Sequence, residues 1–216
     1  MRFLEAPFPN LRATRIAVML KQDAARIARQ GQLTMPSHSI GRIAALSLAA
    51  AAILGAPGAM AALAIGAKAP DFTTRGAMAG KTFTLTLSHQ LKRGPVVLYF
   101  FPKAFTPGCS AEAREFAEHI EDFKKAGATV IGMSADPVDD LVAFSTKECA
   151  GKFAVASAGP GIIQGYDVAL RMRPGMTDRT SYVIAPSGRI AFVHSEMSYT
   201  GHVQSTLAAV KAMTGK

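Results

Sequence analysis

Only two of the 216 residues are cysteine, Cys109 and Cys149. Two such residues do not make a disulfide framework, and no Cys-x-x-Cys is present to form a compact dithiol. Histidine is nearly as scarce. His38, His89, His119, His194 and His202 sit singly, without the clustered Cys/His spacing of a zinc site, and each reads as a surface or hydrogen-bonded residue. Acidic residues number 15 against 24 basic ones, a net charge of +9. That excess is lopsided: residues 1–64 carry seven Lys/Arg and two Asp/Glu, whereas residues 65–216 carry 17 and 13. No basic run with interleaved aromatics occurs in the second part, which argues against a nucleic-acid partner.

Charge is missing altogether from Ile43 to Ile65. A twelve-residue apolar run, Ile43–Leu54, follows Arg42. It is broken by Gly55, Pro57 and Gly58, then followed by Ala59-Met60-Ala61 and Ala62-Leu63-Ala64. That order is the pattern of a secretory signal peptide over about residues 35–64. A membrane anchor is the competing reading, but the helix breakers favour cleavage, with only transient membrane contact. The 34 residues before Met35 are Arg-rich and poor in acid, as transit peptides are. The simpler expectation is a translation start at Met35. The expected organisation is an N-terminal extension, 1–64, and one exported, periplasmic domain, 65–216.

Hydrophobic residues make up 49% of the chain, enough for a core. Phe83, Leu85 and Leu87 alternate with Thr and Ser as in a half-buried strand. Val96–Phe101 is continuously apolar, as expected of a central strand covered on both faces. Ala111–Ala126 predicts a helix with Phe116, Ile120 and Phe123 inside and Gly127 at its end. Glu112, Glu115, Glu118, Glu121 and Asp122 are expected to face water. A second buried strand covers 128–133. Asp136-Pro137 reads as N-cap and first residue of a helix reaching about Cys149. A short strand over 152–157, a hairpin over 182–193 and a terminal helix over 203–213 complete an α/β fold with a mixed sheet flanked by helices.

The most informative stretch is Pro102-Lys103-Ala104-Phe105-Thr106-Pro107-Gly108-Cys109, directly after the apolar strand. It places a thiol where a strand ends and a helix begins. Unpaired N–H groups and the helix dipole there favour thiolate over thiol. On the residues alone, a reactive Cys109 and a buried inert one both stay open.

These pieces resemble a peroxiredoxin of the alkyl hydroperoxide reductase/thiol-specific antioxidant group, in its bacterioferritin comigratory protein branch. The pattern Pro-x-x-x-Thr-x-x-Cys is met by Pro102, Thr106 and Cys109. Ala69-Pro70-Asp71-Phe72, Gly165-Tyr166-Asp167-Val168 and Arg179-Thr180-Ser181-Tyr182-Val183-Ile184 support it. The resemblance implies a thioredoxin-like fold and reduction of hydrogen peroxide and organic hydroperoxides, with no cofactor and no metal. It makes Cys109 the peroxidatic cysteine, oxidised to sulfenic acid. It assigns Arg179 to holding the thiolate and stabilising charge on the peroxide. Thr106 would hydrogen-bond the sulfur and the peroxide, and Pro102 would shield the sulfur. The implied partner is a thioredoxin-like or other thiol reductant, and the expected state is a monomer or weak homodimer.

Many members of the branch carry a resolving cysteine five positions after the first. Arg114 stands there instead. Cys149 is the remaining thiol, about one turn beyond the position, Ser145, that corresponds to a resolving cysteine in some members. A disulfide through Cys149 and direct reduction of Cys109 by an external thiol both remain open. Arg171 and Arg173 read as a solvated loop. The rival functions are a thioredoxin-like disulfide oxidoreductase, disfavoured by Thr106 and Glu112 flanking Cys109, and a non-catalytic thioredoxin-fold binding module.

Overall fold

The structure is a computed structural model, and it describes residues 62–215. The expected export segment, residues 35–64, lies outside the described residues apart from its last three. Among the described residues, no helix is long and apolar enough to cross a membrane.

In chain order the elements are β1 (Thr73–Met78), β2 (Lys81–Thr86), α1 (Leu87–Leu91), β3 (Val96–Phe100), α2 (Pro107–Lys125), β4 (Thr129–Ser134), α3 (Val138–Lys147), β5 (Ala154–Ser157), α4 (Pro160–Gly165), β6 (Thr180–Ile184), β7 (Ile190–Ser195) and α5 (His202–Thr214). One seven-stranded sheet runs β2-β1-β5-β4-β3-β6-β7. The β3/β4 and β4/β5 pairs are parallel, and the outer pairs are antiparallel. The mixed sheet expected from the sequence is therefore present.

Strand β3 is apolar at every position because it has a strand on each side and a layer on each face. Val97, Tyr99 and Phe101 point into one core with Phe116, Ile120 and Phe123 of α2, Phe144 of α3 and Leu207 of α5. Val96, Leu98 and Phe100 point into the other, with Ile131, Met133, Tyr166 and Tyr182. Each fully buried side chain of this size contributes about 1.5–3 kcal/mol relative to exposure. Tyr99 stacks on Phe116 at 4.3 Å between ring centroids, and its ring crosses over β4 at Gly132. A Cβ at Gly132 would lie 2.8 Å from Tyr99 Cζ and Oη, so this strand position admits only glycine. Packing here, not turn geometry, dictates the residue.

Two local expectations are corrected. Helix α2 begins at Pro107, with Thr106 as N-cap, so Cys109 lies within its first turn and not before it. Asp136 does not cap α3; Pro137 occupies that position and the helix starts at Val138. The Asp136 carboxylate turns instead toward the loop after β3, where it finds a stronger set of donors.

Candidate functional site

The C-terminal end of β3 releases the chain into the loop that carries Cys109. Asp136, just past β4, accepts from the Ala104 N–H at 2.7 Å, from Lys103 Nζ at 3.3 Å and from Ser134 Oγ at 2.9 Å. A buried carboxylate with these donors pins the loop against the parallel strand pair. Phe105 is held at φ 63°, a left-handed conformation that costs a non-glycine residue energy and persists because both sides of the loop are fixed. Its ring meets Phe144 edge-on at 5.3 Å.

Thr106 then starts α2 without capping it. Its hydroxyl donates to the Lys103 carbonyl at 2.9 Å, and no side chain bonds the first amides of the helix. The first backbone bond runs from Ser110 N–H to Thr106 O at 2.9 Å. Pro107 has no N–H, so Gly108 and Cys109 are left with free amide donors at the positive end of a 19-residue helix.

Arg179 reaches this point from the residue before β6. The preceding segment is tied to β3 by Thr177 Oγ1, which donates to Phe101 O at 2.7 Å. The guanidinium is almost fully buried and uses three directions. Nη2 donates to Cys109 Sγ at 3.4 Å, Nε to Met197 O at 3.0 Å, and Nη1 to Glu112 Oε2. Cys109 is itself 1% exposed. A guanidinium N–H thus points at the sulfur from one side, and the open amides of the first turn lie beside it in the chain.

Glu112 is the principal residue that the sequence reading missed. It was expected in water, yet it is fully buried. It falls three positions after Cys109 and four before Phe116, on the inward stripe of α2, and that spacing was the available signal. Burial pushes its carboxyl up to about 8, against which the Arg179 charge and hydrogen bond pull down. Glu115, on the same helix, adds to the rise. Beyond it, His202 at the start of α5 is fully buried, with Nδ1 at 3.8 Å from Glu112 Oε1. Burial lowers the His202 ring to about 4.

These shifts predict a pH dependence of stability. A carboxyl raised in the folded state binds more protons there than in the unfolded chain, so its contribution is full below about pH 4.5 and fades as pH rises toward 8. His202 works in the opposite sense, between its folded value of about 4 and its ordinary 6.5. Asp178, raised by burial to about 6, is lost with rising pH below that value. Between pH 6.5 and 8, Glu112 is left to dominate. Urea midpoints are expected to fall across that window, and Glu112→Gln to flatten the fall. An equal slope in the variant would refute the assignment.

Cys149 follows α3 and is fully buried in the same core as Cys109. Burial, with a smaller push from Glu148, raises its thiol far above the ordinary range. Arg114, at the position where a resolving cysteine was looked for, pairs with Glu148 at 2.6 Å and so joins α2 to the residue next to Cys149. Ser145 is buried too, with Oγ bonded to Val142 O and accepting from Gly80 N–H. Pro102 is half-buried, and Arg171 and Arg173 are exposed. Among the described residues, no three His, Cys, Asp or Glu side chains are grouped so as to hold a metal ion.

A cysteine in the first turn of the helix after a central parallel strand, on a mixed sheet of this order, defines a thioredoxin-like domain. Residues 65–193 match the AhpC/TSA family, and the chain belongs to it. It is 32% identical over 143 residues to the chloroplastic peroxiredoxin Q of Gentiana triflora, covering 66% of this chain and 64% of that protein. The chain thus spans slightly under two thirds of that relative's length. It is 29% identical over 123 residues to peroxiredoxin Bcp of Xanthomonas campestris pv. campestris, covering 54% of this chain and 76% of that one. Among solved structures, peroxidoxin BcpB from Mycobacterium tuberculosis superposes with a TM-score of 0.62 at 29% identity, covering 69% of this chain and 97% of its own. The relatives therefore include chloroplastic and bacterial proteins.

Proposed function

We propose that the domain is a thiol-dependent peroxidase in which Cys109 attacks hydrogen peroxide and organic hydroperoxides. The observation that carries this reading is Arg179 Nη2 at 3.4 Å from Cys109 Sγ, beside the free amides of the first turn of α2. The sulfur anion displaces one peroxide oxygen. An S–O bond forms, the O–O bond breaks, and the departing oxygen takes a proton to leave as water or an alcohol. Arg179 and the Gly108 and Cys109 amides offset the negative charge that builds on the two oxygens. Pro102 screens the sulfur from bulk water. The Thr106 hydroxyl is engaged with Lys103 O, so it turns from that carbonyl to serve the sulfur or the bound peroxide.

Peroxiredoxins act on peroxides with thiol reductants, and a thioredoxin-like protein or another thiol completes the cycle here. We favour direct reduction of the Cys109 sulfenic acid in the folded state. Burial in the core holds Cys149 as a thiol, so a disulfide requires local unfolding. Intact mass after one equivalent of peroxide tests both points. A gain of one oxygen, located at Cys109, is expected; a loss of two hydrogens would establish the disulfide route. No change at Cys109 would remove the proposed function. The reading retains a monomer or weak homodimer.

The export expectation also gains a specific form. Leu63 N–H donates to Tyr182 Oη at 3.0 Å, and Ala62 and Leu63 pack against the second core. Cleavage after Ala61 keeps those contacts, whereas cleavage after Ala64 discards them. N-terminal sequencing of the native periplasmic protein is expected to begin at Ala62. A start at Ile65, or an uncleaved chain, would overturn this.

A further inference from the structure

We propose that His202 is a positioning residue for the reaction at Cys109, acting on Arg179 through Glu112 and through the Glu196–Met197 carbonyls. The inference rests on Cys109 being the attacking sulfur, and it concerns what keeps the arginine aimed at it.

The ring has few ways to bond. Its Nε2 lies 3.0 Å from the Glu196 carbonyl oxygen, which can only accept, so Nε2 carries the hydrogen. In the neutral ring Nδ1 is then bare, and Ser181 Oγ, 2.8 Å away on β6, donates to it. Nδ1 also faces Glu112 Oε1 at 3.8 Å, and that oxygen is buried with no hydrogen-bond partner. Ser181 fills the one lone pair of Nδ1, so the neutral ring offers Glu112 Oε1 neither a donor nor a counter-charge, and a bare carboxylate oxygen in a dry interior is relieved by binding a proton. Burial raises Glu112 and lowers His202, and both directions put that proton on the carboxyl. A neutral Glu112 still orients Arg179 Nη1 by hydrogen bonding but does not cancel its charge, which stays available to the sulfur.

The second arm is covalently continuous with the first. Glu196 O accepts from His202 and the next carbonyl, Met197 O, accepts from Arg179 Nε. His202 thus fixes the segment after β7 that supports the other edge of the guanidinium. The groups facing this pair come from every neighbouring element. Cys109 and Glu115 lie on α2, Arg179 before β6 and Tyr99 on β3; His194 on β7 stands edge-on to His202 at 4.4 Å. Of these, Glu112 is raised and His202 lowered into values that bracket neutrality.

The test is the rate of sulfenic acid formation at Cys109 from pH 5 to 9, using hydrogen peroxide on the whole protein. His202→Gln keeps an N–H donor for Glu196 O and can offer Glu112 a second N–H, which the neutral ring does not. Its rate at pH 7 is expected to fall about tenfold, the low end for loss of a group supporting an active site. The alkaline decline in rate, set by Glu112 ionising, is expected to move to lower pH. In a Glu112→Gln background the same substitution should leave the pH profile unmoved. Ser181→Ala leaves the ring in place and frees Nδ1 to accept from protonated Glu112, so it should move the decline the opposite way, to higher pH, and it carries the test if His202→Gln fails to fold. A wild-type rate and profile in a folded His202→Gln protein would overturn the proposal, as would an unshifted profile in Ser181→Ala should it carry the test. So would a shift that persists without Glu112. If wild-type Cys109 forms no sulfenic acid, the peroxidase reading fails first; if it reacts while these variants match it, this inference alone fails.

Discussion

Peroxide consumption by a Cys109→Ser protein is expected to fall to the background of free thiols, while Cys149→Ser retains consumption. The change at 109 swaps one small buried atom for another, and Arg179 Nη2 can donate to the new oxygen as it does to the sulfur. The fold should therefore survive, with a thermal midpoint close to that of the parent. Chemistry is what fails. A serine hydroxyl is a weak nucleophile without an adjacent base, and Arg179 can only donate. The pair of variants also separates the rival functions. A disulfide oxidoreductase would need both sulfurs, so each substitution would abolish its activity. A binding module would consume no peroxide with either sulfur present. Retained consumption in Cys109→Ser would move the chemistry to Cys149, whose burial and raised thiol argue against it.

The elements that were legible in the sequence are those whose pattern is set by local burial. Val96–Phe101 reads as a central strand because both of its faces are covered. Phe116, Ile120 and Phe123 give the inward stripe of α2, and Pro186-Ser187-Gly188 marks the turn between β6 and β7. The site divides differently. Cys109 was visible through its strand-to-helix context. Arg179 lies 70 positions away and was reached only through family resemblance, since no local pattern ties it to the thiol. Asp136 carried an ordinary capping signature, Asp-Pro, but the carboxylate is used across 32 positions to hold Ala104. Glu112 looked like surface charge because acids near a helix start complement the dipole. Its register placed it inward, where Arg179 and His202 close around it. His202 carried no signal of its own; its part depends on α5 being folded back onto α2 and β6. What stayed hidden in each case is a tertiary contact between groups that have no sequence spacing in common.

Replacing Arg179 with Gln is expected to slow sulfenic acid formation by about 10²–10³-fold, the usual cost of removing one preorganised donor from developing negative charge. Three interactions disappear together: the donor to Cys109 Sγ, the brace on Met197 O and the partner of Glu112. Leaving a buried charge unpaired ordinarily destabilises a protein by about 3–5 kcal/mol. Glu112, already pushed up to about 8, escapes most of that cost at pH 7 by binding a proton. The variant is therefore expected to fold at neutral pH and to lose stability more steeply than the parent above pH 8. Arg179→Lys restores the charge without the planar fork, so it cannot serve the sulfur, Glu112 and Met197 at once. Its rate should lie between those of Gln and Arg. Rates measured by competition for hydrogen peroxide, with denaturant midpoints at pH 7 and 9, check both halves of the argument. A Gln variant reacting at the parental rate would mean that the amides of the first turn activate the sulfur unaided. The buried guanidinium would then serve the fold, holding α2, β6 and the segment after β7 around Glu112.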